Sequence, residues 1–376
     1  MAAPALTLDT RYSHLDSILE LVCVALQLTQ TQFEDAKQKY EAAGTWLSAP
    51  GSPLRHFSPD IYPQGSMRLG TTIRPWKGEE FDLDLVCQLH GCGHAHPLKV
   101  YQAVHDRLSS HGVYAKILEK KKRCLRLDYA GNFHLDILPA CPDGVRGGTA
   151  IKVPDCELAD WKPSNPTGYA DWFFERCLYR PSMVLAALEK GVRPLPSNMP
   201  SAMKYPLQRA VQLMKRHRDS FFDGNPDAAR SIVLTTLAGA FYAGQESLTE
   251  SLDVIVNGIL AVIPHTPGIP RVPNPTNPDE NLAEGWNQNT YPQFVRYMHS
   301  FRQHLDRLMQ GEGIDEITKS LGGLVGRTMA EKAIGAHANE LERLRAGKLL
   351  RVHPGTGRLA TAAGMLIPRN NFYGAD

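Results

Sequence analysis

No apolar run in this 376-residue chain reaches the ~18 residues that a bilayer span needs. The opening Met1-Ala2-Ala3-Pro4 lacks a basic segment followed by an apolar one, so no signal peptide is read. A cytoplasmic protein with no membrane partner is therefore expected. Charge of one sign is also missing. The 41 Lys and Arg residues nearly balance 39 Asp and Glu, leaving +2. That argues against a protein whose main task is to coat nucleic acid, and leaves room for a local basic groove. Cysteine is sparse and odd in number, at seven. Reduced thiols are expected rather than a disulfide framework. Cys87, His90, Cys92, His94 and His96 lie close together but match no two-plus-two zinc spacing. With Gly91, Gly93 and Pro97 among them, they predict a polar hairpin loop.

What the chain does contain is a Gly-Ser turn followed by carboxylates on two strands. The turn lies in Gln64-Gly65-Ser66-Met67-Arg68-Leu69-Gly70-Thr71-Thr72. The first acidic segment is Glu80-Phe81-Asp82-Leu83-Asp84-Leu85-Val86, and the second is Phe133-His134-Leu135-Asp136-Ile137-Leu138-Pro139-Ala140. Residues i and i+2 of a strand share a face. Asp82 and Asp84 therefore point one way, with Phe81, Leu83 and Leu85 toward a core. Asp136 is likewise opposed to Phe133, Leu135 and Ile137. If the strands pair, three carboxylates meet on one surface. Ionised carboxylates that close repel one another unless cations sit between them. Hard cations such as Mg²⁺ or Mn²⁺ take oxygen ligands. Two of them roughly 4 Å apart can activate a hydroxyl and stabilise a leaving phosphate. A lone Asp-x-Asp is usually a solvated strand face and a lone Gly-Ser only a turn. Their order here, with a third Asp on a later apolar strand, points to nucleotidyl transfer.

The rest of the chain reads at coarser grain. Leu15, Leu19, Val22 and Leu26 predict a long helix over 13–43. Gly51, Pro53, Pro59 and Pro63 break the chain before the turn. A helix over Leu98–Ser110 separates the first acidic strand from a strand pair at Lys122–Tyr129 and Phe133–Leu138. The Gly-, Pro- and Asp-rich segment 141–168 predicts surface loop, residues from about 169 onward predict helices, and 264–278 predicts a long loop. The run Glu119-Lys120-Lys121-Lys122-Arg123 has no interleaved aromatics to stack bases and is read as a solvated strand start that protects an edge. Leu207, Val211 and Lys215 recur four apart on one helix stripe. The next helix is expected to open near Ser231, where free N–H groups favour anions. Arg216, His217 and Arg218 are read as a solvated face.

The stretch Gln64–Ala140 resembles the catalytic core of the DNA polymerase-β-like nucleotidyltransferases. Within these it is most similar to the relatives of cyclic GMP–AMP synthase and oligoadenylate synthase, and above all to the bacterial CD-NTases of antiphage (CBASS) signalling operons. Pro273-Asn274-Pro275, Glu280-Asn281-Leu282 and Trp286 resemble a segment of their C-terminal half, so the likeness covers most of the chain. It implies an α+β fold: a polymerase-β-like nucleotidyltransferase lobe with a mixed sheet, here 1–195 including the N-terminal helix, and a helical lobe with an extended tail, 196–376, with the active-site cleft between them. It implies Asp82, Asp84 and Asp136 as catalytic metal ligands for two Mg²⁺, which Mn²⁺ can replace. Gln64, Gly65, Ser66, Lys215 and Ser231 would bind the donor nucleotide. ATP, GTP or other NTPs would be the substrates.

The product implied is a cyclic oligonucleotide, foremost a purine cyclic dinucleotide such as cyclic GMP–AMP, that signals to an effector. A cyclic trinucleotide, or transfer to tRNA, protein or an antibiotic, stays open on the residues alone. A non-catalytic module is disfavoured by the three intact aspartates. No zinc ribbon for double-stranded DNA is evident, so no such activator is expected. The tail Leu366–Asp376 resembles tails that a ubiquitin-transfer-like partner conjugates in some members. Its ending, Gly374-Ala375-Asp376, equally suits a surface strap.

Overall fold

The computed structural model describes residues 10–78, 80–92, 94–129, 131, 133–178, 200–311, 313–352, 359–360 and 365–366. The conjugation reading of the tail falls outside these residues except at Leu366, and the 195/196 division falls outside them altogether.

Two helices open the described chain, α1 (Thr10–Leu26) and α2 (Gln30–Ser48), where the leucine spacing predicts one. The break has a local cause. The Gln32 amide donates to the Thr29 hydroxyl, and the Thr29 amide donates to the Gln32 side chain. This reciprocal cap starts a new helix. It also separates two cores: α1 buries Ile18, Leu19, Val22 and Leu26 among helices, while α2 buries Phe33, Ala36, Tyr40 and Leu47 against the sheet.

The sheet half follows as β1 (Pro59–Gln64), α3 (Gly65–Leu69), β2 (Phe81–Leu89), α4 (Pro97–Ser109), the single turn α5 (Tyr114–Ile117), β3 (Leu118–Lys120), β4 (Leu125–Tyr129), β5 (Phe133–Pro142), β6 (Ile151–Asp155) and β7 (Asp160–Ser164). The strand order is β1-β2-β5-β4-β3, with β6 and β7 continuing from the end of β5. Only β2 and β5 run parallel; the other pairs are antiparallel. Leu83, Leu85, Leu125, Leu127, Leu135 and Ile137, all fully buried, cover one face of this mixed sheet. The Glu119–Arg123 run does lie at the edge strand β3 and the turn after it. Lys122 pairs there with Glu157, and Arg123 with Asp155. The segment 141–168 is loop only in part, at 143–150 and 156–159. It forms the β6–β7 hairpin because Ile151 and Val153 pack with Tyr62, Val86 and Ala140 in a small second cluster.

The expectation of seven reduced thiols fails at Cys92 and Cys141, which are disulfide-bonded. Parallel pairing of β2 with β5 carries the turn His90–Cys92 over Cys141. The other five cysteines are free. The His-rich segment is not a hairpin: β2 continues to Leu89, a 3₁₀ turn follows at His90–Cys92, and α4 begins at Pro97. No zinc-like group forms there among the described residues.

Helices complete the chain: α6 (Pro166–Leu178), α7 (Pro206–Phe222), α8 (Ser231–Phe241), α9 (Leu248–Val262), α10 (Thr290–Gln310), α11 (Ile314–Val325) and α12 (Arg327–Ala346). The Pro-rich segment before α10 is not all loop; it holds a small hairpin, β8 (Pro273–Asn274) with β9 (Asn277–Asn281). Residues Leu248–His265 are long and apolar enough for a span by composition, yet Leu252, Ile255, Val256 and Ile259 are fully buried in the helical core. That core joins α1 and α6 to α7–α12. α7 sits at its centre. Arg216 and His217, expected on a solvated face, are 3% and 1% exposed. The reason is tertiary: helices surround α7 on one side and the turn after β1 covers the other.

Candidate active site

Sheet register brings the three aspartates together. Asp84 lies opposite Asp136 in the parallel β2–β5 pair, and Asp136 lies opposite Arg126 in the antiparallel β5–β4 pair. Gln64 lies opposite Asp84 from the other side. The next row is Asp82, His134 and Asp128. Directly paired residues share a face, so both rows project from the side away from the leucines.

Arg126 occupies the middle of this acidic surface. Its Nε and Nη2 donate to the two oxygens of Asp136 at 2.7 and 2.8 Å, a bidentate pair. Its Nη2 also reaches Asp82 at 3.4 Å. Asp84 has no such partner. Burial, then repulsion from Asp82 and Asp136, pushes its carboxyl up to about 7. Asp82 is raised in the same way by desolvation and then by Asp136. Its side chain is 63% open to solvent, so the argument rests on Asp84. A cluster in which Asp84 and Asp82 resist ionisation, with all its donors oxygen, is the environment a hard divalent cation fits.

Gly65 opens α3 with φ +63. A Cβ there would lie 2.0 Å from Oδ2 of Asp84. Glycine is needed both for the left-handed backbone and for this close approach. The Ser66 hydroxyl is 3.0 Å from that of Thr72. Beyond the turn, α7 holds the returning chain by its carbonyls. Gln208 donates to Leu69 O at 2.8 Å, Gln212 to Thr72 O at 2.7 Å, and Lys215 to Thr71 O at 3.2 Å; Arg216 donates to Arg74 O.

A cavity of about 410 Å³ lies between turn, sheet and helices. Gly65, Ser66, Asp82, Asp84, Lys215 and Ser231 line it, as the sequence reading groups them. Gln64 and Asp136 are outside its lining. Gln64 stands at the N-cap of α3 without a side-chain capping bond, and Asp136 is behind Arg126. Burial, then the charge of Arg218, lowers Lys215 to about 7. Ser231 opens α8, and its hydroxyl takes a hydrogen bond from Nη1 of Arg218 at 2.6 Å. Asp219 accepts from Nε of the same guanidinium at 2.8 Å. Arg218, read with Arg216 and His217 as a solvated face, instead lines this cavity, and Asp219, Trp76 and Arg126 were not singled out from sequence. Arg126 alternates with Leu125 and Leu127, which places it on the polar face, but its partner depends on register.

The arrangement is a Gly-Ser turn facing paired carboxylates, with a buried lysine on the same cavity. A family model for the Second Messenger Oligonucleotide or Dinucleotide Synthetase domain matches residues 14–176. A c-di-GMP synthase of Roseivirga ehrenbergii is 34% identical over 380 residues, covering 96% of this chain and 98% of that protein. The chain is a bacterial CD-NTase. This CD-NTase is also 26% identical to the cyclic dinucleotide synthase CdnG of Bradyrhizobium diazoefficiens, over 88% of this chain and 84% of CdnG. The structure of that CdnG in complex with GTP superposes with TM-score 0.69 at 24% identity, over 85% and 97% of the two chains. Escherichia coli DncV with 3'-deoxy GTP gives 0.58 at 16% identity, over 82% and 94%. The α+β polymerase-β-like fold is thereby established, and the CD-NTase is a nucleotidyltransferase of the cyclic dinucleotide synthase class.

Proposed function

We propose that this CD-NTase condenses two molecules of GTP into cyclic di-GMP by two-metal catalysis at Asp82, Asp84 and Asp136. The observation that carries the reading is the register match of Asp84 with Asp136 beside a cavity lined by Gly65, Ser66, Lys215 and Ser231. The family resemblance implies foremost a purine cyclic dinucleotide such as cyclic GMP–AMP, and the residues themselves do not choose the bases. The full-length relative named as a c-di-GMP synthase weighs toward guanine at both positions.

The Gly65 amide and Ser66 hydroxyl face the cavity and would hold donor phosphates. Lys215 and Ser231 supply cationic and hydroxyl contacts from the opposite wall. A triphosphate would favour the charged form of Lys215, which burial disfavours in its absence. Asp82, Asp84 and Asp136 would hold two Mg²⁺, which lower the pKa of the acceptor ribose hydroxyl and offset charge on the leaving pyrophosphate. Asp136 would accept the acceptor hydroxyl proton. The hydroxyl attacks the α-phosphate, and a second attack closes the ring. The product would serve as a defence signal for an effector.

The test is incubation of the protein with Mg²⁺ and each α-labelled NTP, singly and mixed, followed by phosphatase. A resistant product from GTP alone, absent in Asp82→Ala and Asp84→Ala, supports cyclic di-GMP. A requirement for ATP with GTP replaces it by the mixed ring. Label transferred only to added tRNA or protein overturns cyclisation.

A further inference from the structure

Beside the catalytic row, Glu80, Asp128 and His134 each place one potential ligand atom within 4.8 Å of the other two. His134 is held between the two carboxylates. Its Nε2 is 2.7 Å from Oε2 of Glu80, and its Nδ1 is 3.5 Å from Oδ1 of Asp128. The other Glu80 oxygen, Oε1, accepts the Gly131 amide at 2.6 Å.

Chemistry assigns the tautomer. A carboxylate oxygen 2.7 Å from Nε2 requires a proton on that nitrogen, because two acceptors repel at such a distance. In a neutral ring, Nδ1 then carries a bare lone pair. It faces another acceptor, Asp128 Oδ1, and both atoms are buried without a hydrogen-bond partner. A separation of 3.5 Å is too long for an N–H···O bond. Two ligands of one tetrahedral ion, each bound at ~2.1 Å, sit about 3.4 Å apart. Metal-bound histidines characteristically donate their second ring N–H to a carboxylate, which fixes the ring. Glu80, itself anchored by Gly131, stands in that place.

We propose that Asp128 Oδ1 and His134 Nδ1 are the core of a further cation site, with Glu80 as the orienting carboxylate. The site is distinct from the Asp82–Asp84–Asp136 trio, although His134 pairs with Asp82 in the sheet. An imidazole–carboxylate set selects a first-row divalent ion of the Zn²⁺ or Mn²⁺ kind over Mg²⁺. All three side chains are partly open, so water completes the shell. A cation here would tie the entry of β2 to the β4–β5 turn.

The test uses full-length protein carrying Asp82→Asn and Asp84→Asn, which removes two of the proposed Mg²⁺ ligands. After chelator stripping, Zn²⁺ is titrated by calorimetry, with thermal melting of every variant as a folding control. The expected result is one Zn²⁺ equivalent whose affinity falls at least tenfold on adding His134→Gln, and likewise with the near-isosteric Asp128→Asn. If His134→Gln does not fold, Asp128→Asn decides alone. No bound Zn²⁺, or binding unchanged in the folded variants, overturns the proposal and leaves His134 as a clamp between Glu80 and Asp128.

Discussion

Oδ2 of Asp84 occupies the space where a side chain on Gly65 would begin, 2.0 Å from the ideal Cβ position. Turn and β2 are thus packed against each other with no room for a methyl group. Gly65→Ala must move either the turn or the carboxylate, and it also strains a backbone at φ +63. A displacement of about 1 Å at reacting groups costs on the order of 100-fold in rate. We expect product formation to fall by at least that factor while the protein stays folded, as read by labelled-product assay and melting curves. Near-normal turnover would show that the contact does not set the site.

Arg126 stands where cations would neutralise the trio. Arg126→Gln leaves Asp136 without its bidentate partner and should lower stability in metal-free buffer by about 1–3 kcal/mol. Saturating Mg²⁺ should restore most of that loss, because the ion supplies the missing positive charge. Melting of wild type and variant with and without Mg²⁺ measures the difference. Equal destabilisation in both buffers would contradict it.

Gln212 is fully buried and donates to the Thr72 carbonyl. Gln212→Leu strands that carbonyl, at a cost of about 1–3 kcal/mol. The loosened turn should raise KM for the donor nucleotide severalfold, with a smaller change in kcat. Steady-state kinetics with GTP separate the two parameters.

His217 gives a pH dependence of known sign. Burial lowers its pKa from 6.5 to about 4. Its Nδ1 is 3.0 Å from Leu324 O, while Nε2 has no partner. The unfolded chain therefore takes up a proton that the folded chain refuses between these values. Stability falls as pH drops from 6.5 toward 4, by up to ~1.4 kcal/mol per pH step from this group. His217→Phe should flatten that part of the profile. Urea unfolding of both proteins across the window tests it, and parallel profiles would refute it.

The acidic strands were legible because a period of two is a local property: Phe-Asp-Leu-Asp-Leu and Phe-His-Leu-Asp-Ile declare their faces without any partner. Lys215 and Ser231 were legible through their place on helices. What was hidden depends on tertiary register. Arg126 shows its face by alternating with leucines, but not that Asp136 lies opposite. Arg216 and His217 sit in a run that looks solvated, and only packing on both sides of α7 buries them. The break at Thr29 turns on one reciprocal cap, which a leucine spacing running through it conceals. The β6–β7 hairpin was hidden by flanking glycines and by Pro154 and Pro163 within its strands, while its two buried β-branched side chains, Ile151 and Val153, are too few to signal a strand.

The carbonyl bonds from α7 make the helical half part of the Gly65-Ser66 turn itself. A fragment ending at residue 178 would retain all three aspartates, yet the carbonyls of Leu69, Thr71, Thr72 and Arg74 would lose the side chains that donate to them. The turn is thus held in place by side chains of the helical half. Partially made or clipped chains would carry the acidic surface without a formed donor pocket, and the cell would be spared signal from unfinished enzyme.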